Sequence, residues 1–413
     1  MIKKIKNLFS SDTAKGSLIL IIGTFIFNIL NYIFHFSMAR MLGPADYGIL
    51  ASLMSIVYLF SIPTETIQAI IARYTAIFKA RKEIGKIKSL MNRAIKKGWK
   101  FGIIGIILFA AVSPFIKNFL KFDSIIPLLA LAILILPVIL LPITRGILQG
   151  LKKFKALGFN MSFEGAIKLV LAISLVLIGL NVNGAIAAIL ISGFLAFSLS
   201  KYYVNDINKS KEKFFDKKNI YSSFIPVLIA IICLTMMYSM DVIIVKHFFS
   251  DQEAGVYSVA SLLGKMIFFA LIPAAKAMFP IVAERQEAKK EHRHVLSKIL
   301  LGTSLIMVLI LAVYYLFPEF LITILFGNRY IEAANILFYL GVAFSLMTIT
   351  YMISFYYLSL GKSKIIWALI PCTILELVLI SLFSSSLIQF SIAFVVSSFI
   401  TCFTLFLINK KMK

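Results

Sequence analysis

The sequence predicts an all-α polytopic membrane protein of about twelve transmembrane helices, built as two related six-helix lobes. Three observations carry this. The 413 residues are 60% hydrophobic with a mean hydropathy of +0.96, against about 45–50% apolar in soluble domains. Apolar runs close to the roughly 20 residues that cross a bilayer recur from end to end. The connecting segments are short and alternate between basic and nearly uncharged, which leaves no stretch for an independent soluble domain.

The spans fall at 16–38, 49–71, 100–118, 124–147, 158–180 and 183–203, then at 222–246, 255–282, 299–321, 332–359, 365–384 and 387–408. The run from Ser17 to about Met38 follows lysines, as a leader would. It is too long for a signal core and lacks a small-x-small cleavage site, so it is expected to be the first span. Ahead of it, Ile2, Ile5, Leu8 and Phe9 are spaced for one face of a short interfacial helix with lysines elsewhere. Pro63, Pro137, Pro142, Pro273, Pro280 and Pro371 fall within or near span ends, where proline frees carbonyls and bends helices.

Charge sets the expected orientation. Of 42 Lys and Arg residues, 33 lie in alternate segments that include both termini. Five (Arg40, Lys117, Lys121, Lys246, Arg329) lie in the opposite set, and Arg145, Lys168, Lys265 and Lys276 lie within spans. The positive-inside rule then places both termini in the cytoplasm. The same pattern accounts for the net charge of +24 and argues against nucleic acid as a partner.

Two internal echoes indicate a repeat. Asp46-Tyr47-Gly48-Ile49 and Glu253-Ala254-Gly255-Val256 each sit between apolar runs, with Arg40 and His247 eight residues before the glycine. Gly150-Leu151-Lys152-Lys153 and Gly361-Lys362-Ser363-Lys364 follow the fourth and tenth spans. The separations, 207 and 211 residues, agree. Six spans per half make the halves parallel repeats. The expected division is a first lobe over 1–203, a Lys-rich cytoplasmic linker over 204–221 and a second lobe over 222–413.

Charges at membrane depth are costly and line cavities or pair with one another. Glu65, Arg145, Glu164, Lys168, Asp241, Lys265, Lys276 and Glu376 qualify. Lys265 and Lys276, eleven residues apart, share a helix face with Phe268, Phe269 and Ile272 near it. Such a cationic, partly aromatic stripe would guide a phosphate, whereas the plainer expectation for Lys276 is a lysine reaching the headgroups. Glu164 and Lys168 are spaced to pair along one helix. Arg145 has no acidic residue within a turn and is expected to face a cavity or the headgroups. Asp241 and Glu65 are candidates for an ion pair or for coupling to a proton or sodium ion. His35 is expected to be a packing histidine.

No catalytic constellation is found: there is no Gly-x-Ser-x-Gly, phosphate-binding loop, His-Glu-x-x-His or paired-cysteine motif. Cys233, Cys372 and Cys402 lie apart in apolar runs and are expected to be packing residues rather than a disulfide or metal site. No cofactor is expected. Asn160-Met161-Ser162 and Asn208-Lys209-Ser210 read as chance sequons.

The corner Ala39-Arg40-Met41-Leu42-Gly43-Pro44-Ala45-Asp46-Tyr47-Gly48 resembles the signature after the first helix of the polysaccharide biosynthesis, or oligosaccharide flippase, family. Ile147 to Phe154, Asp241, and Phe326-Gly327-Asn328-Arg329-Tyr330 are similar to that family in the expected places. The resemblance covers essentially the whole chain. It implies the multidrug/oligosaccharidyl-lipid/polysaccharide exporter superfamily fold, with two six-helix lobes around a central cavity. It also implies alternating-access flipping of a polyprenyl-diphosphate-linked oligosaccharide in the cell membrane, with polysaccharide assembly proteins as possible partners beside membrane lipids. It transfers no site residue. From position and charge alone, the candidate cavity cations are Arg145, Lys168, Lys265, Lys276 and, near the outer rim, Arg40.

A cation-coupled multidrug exporter of the same superfamily is the alternative; the in-span charges, four basic and four acidic, do not separate the two. A membrane glycosyltransferase or ligase fits less well, because external connections of roughly ten residues or fewer carry no charged cluster.

Overall fold

The computed structural model describes residues 12–213, 225–288, 291–361 and 365–411. The expected interfacial helix at 2–9, residues 214–221 of the expected linker and residues 362–364 of the second Gly-Lys turn lie outside the described residues. So do the side chains of Glu65 and Lys276.

The described chain is helical throughout, as an apolar environment requires: backbone groups without water must be satisfied within the segment. The helices are α1 (Asp12–Phe60), α2 (Ile62–Ala80), α3 (Ile84–Phe119), α4 (Ile126–Gly150), α5 (Phe154–Leu175), α6 (Asn181–Tyr203), α7 (Ile225–Phe248), α8 (Asp251–Glu287), α9 (Arg293–Leu316), α10 (Pro318–Phe326), α11 (Ala334–Ser359), α12 (Ile366–Leu382) and α13 (Leu387–Lys411). Among the described residues, nine segments are long and apolar enough to span a membrane. Two of them, Ile22–Ala80 and Phe154–Tyr203, each hold two expected spans, and Trp367–Leu382 is a shorter apolar helix. All twelve expected spans are thereby located.

The breaks have local causes. At Gly43 the backbone turns to φ 77° and Pro44 follows, so the ladder is interrupted where one residue tolerates positive φ and the next lacks an N–H. The polar corner is thus one sharp break inside a helical run. Between α5 and α6, Gly179 at φ 90° and Asn181 at φ 43° reverse the chain.

The chain forms two compact units. The first comprises Met1–Leu42 and Phe60–Asn219, and the second Gly43–Leu59 with Ile220–Lys413. The stretch Gly43–Leu59, which precedes the expected linker by far, therefore packs with the second unit.

Each unit has the same internal plan. In the first, α4 is the central helix and packs against α2, α3 and α6, while α5 packs against α6. In the second, α11 is central and packs against α8, α9 and α13, while α12 packs against α13. These are equivalent spans of the two sequence halves, so the repeat seen in two short echoes is a repeat of helix pairing. Central helices bury most of their length: α4 buries Leu131, Leu134, Leu140 and Ile147, and α11 buries Leu337, Phe344, Met352 and Tyr356. Outer helices present apolar faces. Phe101, Ile107, Leu108 and Phe115 on α3, and Leu301, Leu305, Val308 and Leu309 on α9, are exposed, the inverse of a soluble surface.

One end of the first unit is tied together by lysines. Lys79 donates to the Leu151 carbonyl, Lys153 to the Tyr203 carbonyl at 2.9 Å, and Lys88 to the Ser210 carbonyl at 3.0 Å. These lysines come from two basic connecting segments, 72–99 and 148–157, and Lys88 reaches a third, 204–221, so the fold gathers three basic segments at one end. In the apolar interior, hydroxyls back-bond to their own helices, as in Ser258 to Ala254 at 2.6 Å and Thr348 to Phe344 at 2.7 Å.

Candidate polar sites within the membrane

In the first unit, Asn160, Glu164 and Lys168 occupy successive turns of α5 and therefore share a face. Arg145 on α4 reaches across to that face. Its Nε donates to Asn160 Oδ1 at 2.9 Å and its terminal nitrogen to Glu164 Oε2 at 2.6 Å. Asn160 is buried and donates onward to the Ala196 carbonyl at 2.7 Å, which fixes it as the support for Arg145. The Arg145 and Glu164 side chains are 11% and 20% exposed. Lys168 donates to Asn31 Oδ1 on α1 and lies 4.8 Å from the Phe34 ring centroid and 6.0 Å from that of Phe27. One turn beyond Arg145, Gln149 accepts from Gln68 at 3.0 Å.

The sequence expectation for these residues changes in one respect. Glu164 makes its ion pair with Arg145 on the neighbouring helix, and Lys168 hydrogen-bonds to a neutral amide. Arg145, which has no acidic residue within a turn, finds its partner by tertiary packing. Two supporting residues, Asn31 and Asn160, were not singled out as site residues by charge. Their only sequence signal is an amide inside an apolar run. Among the described residues the cluster holds two cations and one carboxylate, an excess of one positive charge.

In the second unit, Asp241 on α7 is fully buried and accepts from three groups on α8. These are Lys265 Nζ at 3.0 Å, Ser261 Oγ at 2.6 Å and Tyr257 Oη at 3.4 Å. The Lys265 side chain is 5% exposed, and its charge is committed to Asp241. Its Nζ also lies 5.6 Å from the Phe344 ring centroid. Phe268, expected on an open stripe, is buried between Tyr238 and Tyr351. Lys265, expected at one end of the stripe, is thus buried and ion-paired, while the side chain at the other end, Lys276, lies outside the described residues. Glu376 on α12 is buried within electrostatic reach of Asp241, and neither of its oxygens has a hydrogen-bond partner among the described residues.

At the second corner Lys246 is buried and pairs with Asp251, whose side chain is 38% exposed. Arg40 is exposed in the first unit. Within the first unit Arg145 and Lys168 come together, and within the second Lys265 is neutralised by Asp241.

A sequence model of the family described as "Polysaccharide biosynthesis protein" matches residues 37–335. An uncharacterized membrane protein of Methanocaldococcus jannaschii is 24% identical over 294 residues, 66% of this chain and 68% of that protein. Among solved structures, the inward-facing conformation of a multidrug resistance MATE family transporter of the MOP superfamily superposes with a TM-score of 0.81 at 12% identity, covering 94% of each chain. Its outward-facing counterpart gives 0.67 at 16% identity, covering 98% of this chain and 97% of that one. A MOP superfamily transporter from Pyrococcus furiosus, whose report describes a reversed polarity of the binding pocket, gives 0.68 at 15% identity, covering 98% and 97%. At such identities these structures show a shared fold. With the family match over most of its length, this chain belongs to the polysaccharide biosynthesis protein family and has the fold of these MOP superfamily structures.

Proposed function

We propose that this transporter flips a polyprenyl-diphosphate-linked oligosaccharide across the cell membrane for surface polysaccharide assembly. The observation that carries the reading is the cluster of Arg145 and Lys168 around one carboxylate inside an apolar unit. A surplus cation at membrane depth calls for an anion, and a diphosphate supplies one while its lipid tail stays in the bilayer. Family membership favours a saccharide carrier over other anions. Transport requires no bond to be made or broken, so Arg145 and Lys168 serve as binding groups.

The same reading orients the protein with its lysine-tied end and both termini in the cytoplasm. Arg40 would meet substrate near the outer end, and protons or sodium would drive the cycle. Reconstitution tests the function. Proteoliposomes should expose a labelled lipid-diphosphate saccharide in the opposite leaflet above empty vesicles. Efflux of organic cations without saccharide dependence would instead identify a multidrug exporter.

A further inference from the structure

We infer that Glu164 is a built-in stand-in for the substrate's phosphate: it holds Arg145 while the site is empty and is displaced when a lipid diphosphate binds. The inference rests on the lipid-diphosphate reading above and assigns a role to the acidic residue that pairs with Arg145.

The argument begins with charge. Two bare cations in an apolar helical unit would each carry a desolvation cost of several kcal/mol. Glu164 relieves this, because its carboxylate contacts Arg145 at 2.6 Å and lies within electrostatic reach of Lys168 one turn away. A planar guanidinium receives a carboxylate or a phosphate oxygen with the same donor geometry. The place now held by Glu164 Oε2 is thus the place a phosphate oxygen would take.

Three features make the contact exchangeable. Arg145 is held independently by Asn160 through Nε, so it keeps its aim when Glu164 leaves. Among the described residues its remaining N–H donors have no protein partner. The Glu164 side chain, at 20% exposure against 11% for Arg145, is the more accessible member of the pair.

Lys168 completes the exchange. It rests on a neutral amide and two aromatic rings, contacts weaker than an ion pair with phosphate. A diphosphate would therefore recruit Lys168 and take Arg145 from Glu164. Return of Glu164 to Arg145 would then help expel the headgroup. A site with two cations and no internal competitor would bind more tightly and release more slowly.

The test uses the full-length protein in phosphatidylcholine nanodiscs, titrated calorimetrically with farnesyl diphosphate and with inorganic pyrophosphate. Wild type should bind farnesyl diphosphate more tightly than pyrophosphate. Glu164→Gln should tighten the lipid by about tenfold, in the range of ordinary site couplings, and Arg145→Gln should weaken it by at least as much. In an Arg145→Gln background, Glu164→Gln should lose most of its effect, as interacting sites do. Flipping of a labelled isoprenyl-diphosphate sugar by Glu164→Gln should be slower at saturation and half-maximal at lower substrate. Should Glu164→Gln not fold, Glu164→Asp, which withdraws the carboxylate by one methylene, should also tighten binding.

If both Glu164 variants bind the lipid no better than wild type while Arg145→Gln weakens it, the stand-in role is overturned and the lipid-diphosphate reading survives. Equal affinity for pyrophosphate and the lipid would overturn the lipid-borne source. No saturable binding of either probe by wild type would overturn the reading itself, and the stand-in with it.

Discussion

Gly48 packs directly against Gly255. A Cβ on Gly48 would lie 2.8 Å from the Gly255 nitrogen, and one on Gly255 would lie 1.9 Å from the Pro44 carbonyl oxygen. These are the equivalent glycines of the two echoed corners, and both belong to the second unit. A side chain on Gly48 would run into the backbone from Asp251 to Gly255, and one on Gly255 into the backbone of Pro44. Around them Tyr47 meets Tyr330 edge-on at 6.2 Å, and Lys246 pairs with Asp251. The corner signature thus encodes a close backbone crossing.

Gly255→Ala should therefore destabilise more than most single methyl additions. Overpacking costs about 1–3 kcal/mol where side chains can yield, and here the obstructing atoms are backbone. Thermal unfolding in detergent should show Gly255→Ala well below wild type. Gly302→Ala, where a Cβ meets nothing within 4 Å, should be close to wild type.

The two buried carboxyls of the second unit should respond oppositely to removal. Asp241→Ala would leave Lys265 buried and unpaired, at a cost of about 3–5 kcal/mol. A double variant, Asp241→Leu with Lys265→Met, should recover most of that loss, since apolar replacement of a whole buried pair is close to neutral. Glu376→Gln removes an ionisable group that has no hydrogen-bond partner among the described residues, so its unfolding temperature should equal or exceed that of wild type. Unfolding temperatures of the four proteins check all three statements.

Asn160 should matter to transport more than its neutral side chain suggests. Asn160→Leu removes the acceptor that fixes Arg145 Nε and leaves the Ala196 carbonyl without its donor. A loss of about 1–3 kcal/mol in stability is expected from the orphaned groups. A rise in half-saturating substrate should accompany it, measured in the flipping assay.

The expected orientation is testable by cysteine accessibility. Lys152 and Asp123 are both exposed, and they fall in a basic and in an opposite connecting segment. An impermeant maleimide should label Asp123→Cys in intact cells. It should label Lys152→Cys only after permeabilisation.

How much of this was legible in the sequence follows from the range of each interaction. The spans were readable because hydropathy is a local property. All twelve lie in order on the thirteen described helices, with α1 running through the corner into the second span and α10 an additional short helix after the ninth. The repeat was readable from Gly48 and Gly255, but their mutual contact was not, since 207 residues separate them. The α5 face was readable, because Glu164 and Lys168 lie one turn apart. Arg145 reaching Glu164, and Lys265 reaching Asp241 across 24 residues, depend on helix packing that no periodicity encodes. The ion pair of Lys265 was hidden for that reason: helical spacing places a residue on a face, and the neighbouring helix decides what that face meets. Asn160 lay hidden in a chance sequon, although an amide in an apolar run is itself a signal of interior hydrogen bonding.

The central claim is tested most directly by leaflet exposure of a fluorescent polyprenyl-diphosphate oligosaccharide in proteoliposomes. The wild-type protein should expose it above empty vesicles, and Arg145→Gln with Lys168→Gln should reduce the rate at least about tenfold, as loss of charge-assisted contacts implies. No exposure above empty vesicles with any of several saccharides, or an unchanged rate in the folded double variant, would contradict the account.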